Sequence, residues 1–142
     1  MKYIFIYITL LLGASVGFSS CSDDEREQKD LIGDVFTIIP SILVDVDAEG
    51  GVDTVVVPNM FGLNISGICR MENNDTTYRQ YNGVDTEYKG CWYEVKKMAK
   101  ENQLEITTLS NKGEERALRV FISEKRNPLK IGEILITQKA AE

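Results

Sequence analysis

Histidine is absent from all 142 residues. That excludes a Ser-His-Asp triad, a histidine-paired cysteine nucleophile and an imidazole metal site. Positive charge is in the minority, with 16 Lys and Arg against 22 Asp and Glu and a net charge of −6. A phosphate backbone is met by a basic footprint, so a nucleic-acid partner is not expected. Aromatic residues are few, at 8%, and six of them are tyrosine. The length fits one domain, and the 43% hydrophobic fraction is ordinary for a soluble fold.

The most apolar segment lies at the start. Lys2 provides one positive charge, and the uncharged run YIFIYITLLLGASVGF follows. This is the n-region and h-region pattern of a secretory signal, read here over residues 1–20. The run is short for a retained membrane span, and acids rather than a basic stop-transfer flank come after it. The border itself reads FSSCSDDE. FSSC resembles the lipobox of bacterial lipoproteins, with Phe18 standing where Leu is usual. The resemblance implies that Cys21 is acylated and becomes the first residue of the mature chain, with the membrane as its partner. Each buried methylene adds about 0.8 kcal/mol, and stable anchoring takes more than one acyl chain. The acids after Cys21 resemble the signal that sends lipoproteins of Bacteroidetes to the outer cell surface.

Residues 21–34 are charged, lack a core pattern and read as a flexible tether. Residues 35–142 change to short β-type runs broken by turn residues. VFTII and SILVDVD flank Pro40, which cannot donate to a ladder, and read as one edge strand that breaks and resumes. Glu49-Gly50-Gly51 is a turn signal before VDTVVVP, and FGLNIS starts a further strand. Leu104 and Ile106 share a face, as do Leu118, Val120 and Ile122, and Ile134 and Ile136. Turns are expected at Asn111-Lys112-Gly113 and Asn127-Pro128. YEVKKMAKEN has helix formers, but its aromatic and β-branched start, Trp92 to Val95, favours a strand that frays into a charged loop. Frequent short strands without βα alternation predict an all-β, immunoglobulin-like antiparallel β-sandwich.

SILVDVDAEGGVDTVVVPN, CWYEV with Trp92, LEITTLSNKGEERALRVFIS with Asn111 and Arg116, and IGEILITQ ending at Gln138 are together similar to BACON domains. The resemblance runs from about residue 36 to 140. It implies an immunoglobulin-like sandwich on the surface of gut Bacteroidetes, associated with carbohydrate or mucin binding, or serving as a spacer. The chain departs from the family in two ways. It carries no second module to present, and residues 66–91 form a long insert where the family has a short connection.

Within that insert, Asn82-Gly83 suits a two-residue type I′ turn. The hairpin predicted around it sets Tyr81 opposite Val84, Arg79 opposite Thr86 and Thr77 opposite Tyr88 on one face, with Tyr78 and Gln80 on the other. Aromatic rings stack on sugars while Arg, Gln and carboxylates bond hydroxyls. Tyr78, Arg79, Tyr81, Tyr88 and Trp92 are therefore the candidate glycan-binding residues. The competing reading has the tyrosines packing the hairpin onto the sandwich and Trp92 in its core, and packing is the more ordinary use of such residues. Cys69 and Cys91 bracket the insert. An oxidising compartment favours a disulfide between them, which would constrain the unfolded chain by about 3 kcal/mol; two buried thiols are the alternative.

DVDAEGGVD places Asp45, Asp47, Glu49, Gly50 and Asp53 at EF-hand loop positions, but Val56 stands where a bidentate Glu is needed, so no metal is expected. Asp53-Thr54-Val55 and Asp75-Thr76-Thr77 resemble the O-glycosylation acceptor of exported Bacteroidetes proteins. The sequence thus predicts a non-enzymatic, cofactor-free, lipid-anchored outer-membrane protein that faces the cell exterior. It would bind a glycan or mucin, or dock as a structural accessory on an envelope protein partner.

Overall fold

The structure, a computed structural model, describes residues 36–142. The expected signal segment, the Cys21 anchor and the tether up to residue 34 lie outside these residues. Ten strands follow in chain order: β1 (Thr37–Ile38), β2 (Ile42–Val46), β3 (Gly51–Val56), β4 (Leu63–Glu72), β5 (Asp75–Gln80), β6 (Glu87–Lys89), β7 (Tyr93–Lys97), β8 (Gln103–Thr108), β9 (Arg116–Glu124) and β10 (Lys130–Gln138). They form a six-stranded and a four-stranded sheet packed as a sandwich.

The larger sheet runs β10-β9-β4-β5, with β1 and β2 both on the free side of β10. Pro40 breaks this edge strand as its missing N–H requires, and the chain resumes on the same partner. β1 and β2 pair with β10 in parallel, whereas the remaining ladders are antiparallel. A parallel pair cannot be closed by a tight hairpin. The chain therefore crosses after β2 to start the smaller sheet, β3-β8-β7-β6. An N-terminal strand on the last strand and the third strand in the opposite sheet follow the immunoglobulin arrangement.

Period-two alternation decides the core. Leu118, Val120, Ile122, Ile134 and Ile136 face inward from β9 and β10, and meet Val55, Val95, Leu104 and Ile106 from the smaller sheet. Each such fully buried side chain stabilises by about 1.5–3 kcal/mol relative to exposure. On β3 the inward face is Val55 and Val57, leaving Val52, Thr54 and Val56 outside. The YEVKK stretch is a strand, with Val95 fully buried.

The expected Asn82-Gly83 hairpin is not formed. β5 pairs with β4, and β6 pairs with β7 in the other sheet. Residues 81–86 carry the chain from one sheet to the other. The tight hairpin sits nine residues earlier, at Asn73-Asn74, both with positive φ (50° and 61°), as a type I′ turn needs. Gly83 has φ 76° but Asn82 is not left-handed; its Oδ1 instead accepts the Val84 N–H in an Asx turn.

Candidate functional site

The two ends of the sandwich are closed by polar networks. At one end Trp92 leads into β7 and is 3% exposed. The Arg116 guanidinium lies 4.2 Å from its ring centroid. Arg116 Nε donates to Gln138 Oε1 (2.8 Å), Nη2 to the Leu109 carbonyl (2.8 Å), and Nη1 reaches Glu72 Oε1 (3.4 Å). Gln138 Nε2 donates to the carbonyls of Leu109 (2.9 Å) and Asp47 (3.1 Å). Asn111 Nδ2 donates to the carbonyls of Glu114 and Lys139, and its Oδ1 accepts from Gly113 N–H. At the other end Lys130 pairs with buried Glu124 (2.9 Å) and donates to the Asn59 carbonyl. The Arg116, Gln138 and Asn111 side chains are buried and hydrogen-bonded and hold loops together, while the Trp92 indole N–H has no hydrogen-bond partner among the described residues.

The candidate sugar-binding residues divide. Tyr88, at 2% exposure, is core; its hydroxyl donates to the Asp85 carbonyl (2.9 Å), and burial first, then Asp85, pushes its pKa up. Tyr81 is half-buried and meets Tyr88 edge-on, centroids 4.6 Å apart. Val84, its expected cross-strand partner, is 76% exposed. Trp92 and Tyr88 are thus closed to a ligand, because each occupies the space between the sheets. Arg79 is exposed and faces a cleft between the sheet edges. Tyr78 points the other way, as strand alternation demands, onto the outer face of the larger sheet.

There Tyr78 remains 55% exposed and meets Phe121 edge-on, centroids 6.0 Å apart at 73°. Glycine makes this possible. A Cβ on Gly67 would lie 2.5 Å from the Tyr78 hydroxyl, so the ring covers bare backbone. Beside the pair runs an open groove of about 590 Å³ bordered by Ser66, Cys69, Ile131 and Gly132. Strand register sets Glu133 opposite Phe121, and Arg119 opposite Cys69, on the same face. Arg119 Nε meets Glu133 Oε2 at 3.4 Å, and Ser41 Oγ donates to Glu133 Oε1 (2.8 Å). An exposed aromatic pair with a guanidinium, a carboxylate and hydroxyls alongside can cover an apolar ring face and bond its polar edge. Sequence alternation set Tyr78 and Arg79 on opposite faces, as they are found. It could not locate Phe121, Arg119 and Glu133, which come from strands more than 40 residues away.

Cys69 and Cys91 are free thiols. The expected disulfide is not formed, for a geometric reason. Cys69 faces the outer groove, while the Cys91 sulfur accepts from Arg70 Nη1 (2.9 Å), and Arg70, the next residue in β4, points to the opposite face. Thr54 and Thr76, in the acceptor-like triplets, are both exposed.

No family model matches the chain, and no curated protein matches it. Among solved structures, the chain is similar to the NMR structure of a protein from Bacteroides thetaiotaomicron, with a TM-score of 0.57 and 22% identity over 73% of this chain and 80% of that one. At that identity the likeness speaks for the fold.

Proposed function

We propose that this protein is a non-enzymatic, lipid-tethered binding module on the outer surface of a bacterial outer membrane, and that it engages glycan or mucin through the outer face of its larger sheet. One observation carries the reading: Tyr78 stands exposed beside Phe121 on an open sheet face, with Arg119, Glu133 and Ser41 next to it. Sugars present flat C–H faces and hydroxyl edges, which an aromatic pair flanked by polar groups complements. An open face leaves the ligand in water, which suits binding; charge-stabilising catalysis needs water excluded. The FSSCSDDE border and the resemblance to BACON domains support the proposed location. Glycan arrays and mucin pull-down with the full-length protein test the binding. Tyr78→Ala should abolish capture without loss of folding. Capture unchanged by that substitution rejects this surface. For the location, Cys21→Ala should release the protein from the membrane fraction or leave it unprocessed. Alanine at Asp23, Asp24 and Glu25 should protect it from protease shaving of whole cells; equal shaving rejects the surface-export role of the acids.

A second reading, docking onto an envelope protein, is favoured by exposed Phe36, Ile38 and Leu43 on and beside the edge strands β1 and β2. Silence on every sugar, with co-purification of an envelope protein that is lost on Leu43→Asp, would favour it.

A further inference from the structure

The cleft between the edge strands β5 and β6 carries the opposite charge to the chain as a whole. It holds about 310 Å³, the small end of ligand-site volumes. Its floor is buried Ile68 and Tyr93, and its walls bear Arg70, Arg79, Lys89 and the Thr77 hydroxyl. Among the described residues no carboxylate lines it, in a protein of net charge −6.

One of the cations, Arg70, is fixed in place by hydrogen bonds. Arg70 Nη2 donates to Thr77 Oγ1 (3.2 Å) while Nη1 donates to the Cys91 sulfur (2.9 Å), which holds the guanidinium across the cleft wall. Arg70 meets Asp75 at 3.5 Å, and Lys89 meets Glu94 at 3.4 Å and Glu87 at 3.6 Å. Those three acids stand outside the lining, and long, exposed pairs of this kind are weak. They orient the cations and leave their charge available. Arg79 makes no ion pair among the described residues. Burial, then Tyr81, pushes the Tyr93 hydroxyl up in pKa, and the fields of Arg79 and Arg70 pull back, so both guanidiniums act on the cleft floor.

We propose that this cleft binds a compact oxyanion, a sulfate or carboxylate group, carried on an acidic sugar. Two guanidinium forks match the planar or trigonal edge of such a group, and their hydrogen bonds to it are charge-assisted. Thr77 adds a hydroxyl. The net negative charge repels long polyanions, so recognition is confined to one short-range group. The sugar as carrier rests on the glycan reading above; the anion site rests on the cleft alone. Because Tyr78 and Arg79 are neighbours on β5 with opposite facing, a glycan wrapping this edge can reach both surfaces.

The test measures binding of full-length protein to chondroitin sulfate oligosaccharides, their desulfated form, which keeps carboxylates, and neutral oligosaccharides. A parallel arm compares sodium sulfate with sodium chloride at matched ionic strength for thermal stabilisation. Acidic sugars should bind more tightly than neutral ones, and Arg79→Ala should weaken them at least about tenfold, the loss of a charge-assisted pair. Arg79 is exposed on an edge strand, so its removal leaves the core intact; Lys89→Gln gives a second variant, and Lys125→Gln, at the opposite strand end, should change nothing. Desulfation that abolishes binding names sulfate, and retained binding names carboxylate. Acidic sugars bound no tighter than neutral ones, or bound equally by Arg79→Ala, overturn the site. Neutral sugars that still need Tyr78 in that case leave the glycan reading standing. Stabilisation by sulfate that needs Arg79, with no sugar bound, keeps the anion site and rejects the sugar carrier.

Discussion

The Arg116 guanidinium sits 4.2 Å from the centroid of the Trp92 ring, and its Nε donates to Gln138 at 2.8 Å. Trp92 precedes β7, Arg116 opens β9 and Gln138 ends β10, so one side chain ties together three distant parts of the chain. Among the described residues, Arg116 and Gln138 reach the ring, Glu72, loop carbonyls and each other. Sites of this construction stabilise a sandwich end.

Gln138 is fully buried, so Gln138→Ala leaves Arg116 Nε without its partner, while the Asp47 carbonyl keeps the Gly50 N–H. It should destabilise by about 1–3 kcal/mol, the range for one buried polar group left unpaired. Arg116→Lys should also destabilise, because an ammonium cannot reproduce the fork that reaches Gln138 and Leu109 together. Urea unfolding followed by Trp92 fluorescence checks both, and stabilities equal to wild type would mean the network contributes nothing.

Two glycines separate a backbone clash from a side-chain one. A Cβ on Gly50 would lie 2.4 Å from the Thr108 carbonyl oxygen at φ +74°, where neither the ladder nor the turn can move cheaply. Gly50→Ala should cost more than about 2 kcal/mol, the left-handed penalty plus the clash. Gly67→Ala meets only the Tyr78 ring. It should swing that ring away from Phe121 with a stability loss below about 1 kcal/mol, and should weaken sugar capture with the fold intact. Chemical denaturation of the two variants, with NMR contacts between Tyr78 and Phe121, is the measurement.

Two free thiols predict a protein whose intact mass is unchanged by reductant. Cys91 is exposed and Cys69 only half so, so thiol reagents should modify Cys91 first. A mass gain of two hydrogen atoms on reduction would contradict the opposite facing of the two residues.

Burial pushes the pKa of Tyr88 and of Tyr93 above the ordinary 10.0. A raised folded-state value means the unfolded chain releases its protons first, so stability contributed by these hydroxyls is present below pH 10 and is lost as pH rises beyond it. Lys97, lowered first by burial, contributes with the opposite sign. Stability from urea unfolding should therefore fall above about pH 10, and Tyr93→Phe should flatten the fall. Between about pH 6 and 8 the curve should be level, since no histidine titrates there. A steep slope in that window would contradict this account.

Alternation of apolar residues was enough to read most strands and the inward sets on β8, β9 and β10, because period two maps directly onto the two faces of a sheet. It also read Pro40 as a break in an edge strand, since a missing N–H is a local property. The absence of histidine excluded whole chemistries before any fold was known. The hairpin was beyond it. Asn73-Asn74 and Asn82-Gly83 have the same local turn chemistry, and the choice lies in which strands are free to pair. β4 continues to Glu72 alongside β9, so β5 folds back there, while Tyr88 is drawn into the core beside Val95 of the other sheet. The cysteines depended on the same long-range outcome, for a one-residue change of parity puts a thiol on the other face. The Tyr78 groove and the Arg70–Arg79–Lys89 cleft each draw side chains from strands distant in sequence. Local propensity acts over a few residues, whereas these surfaces exist only once sheet order and register have set which distant residues become neighbours.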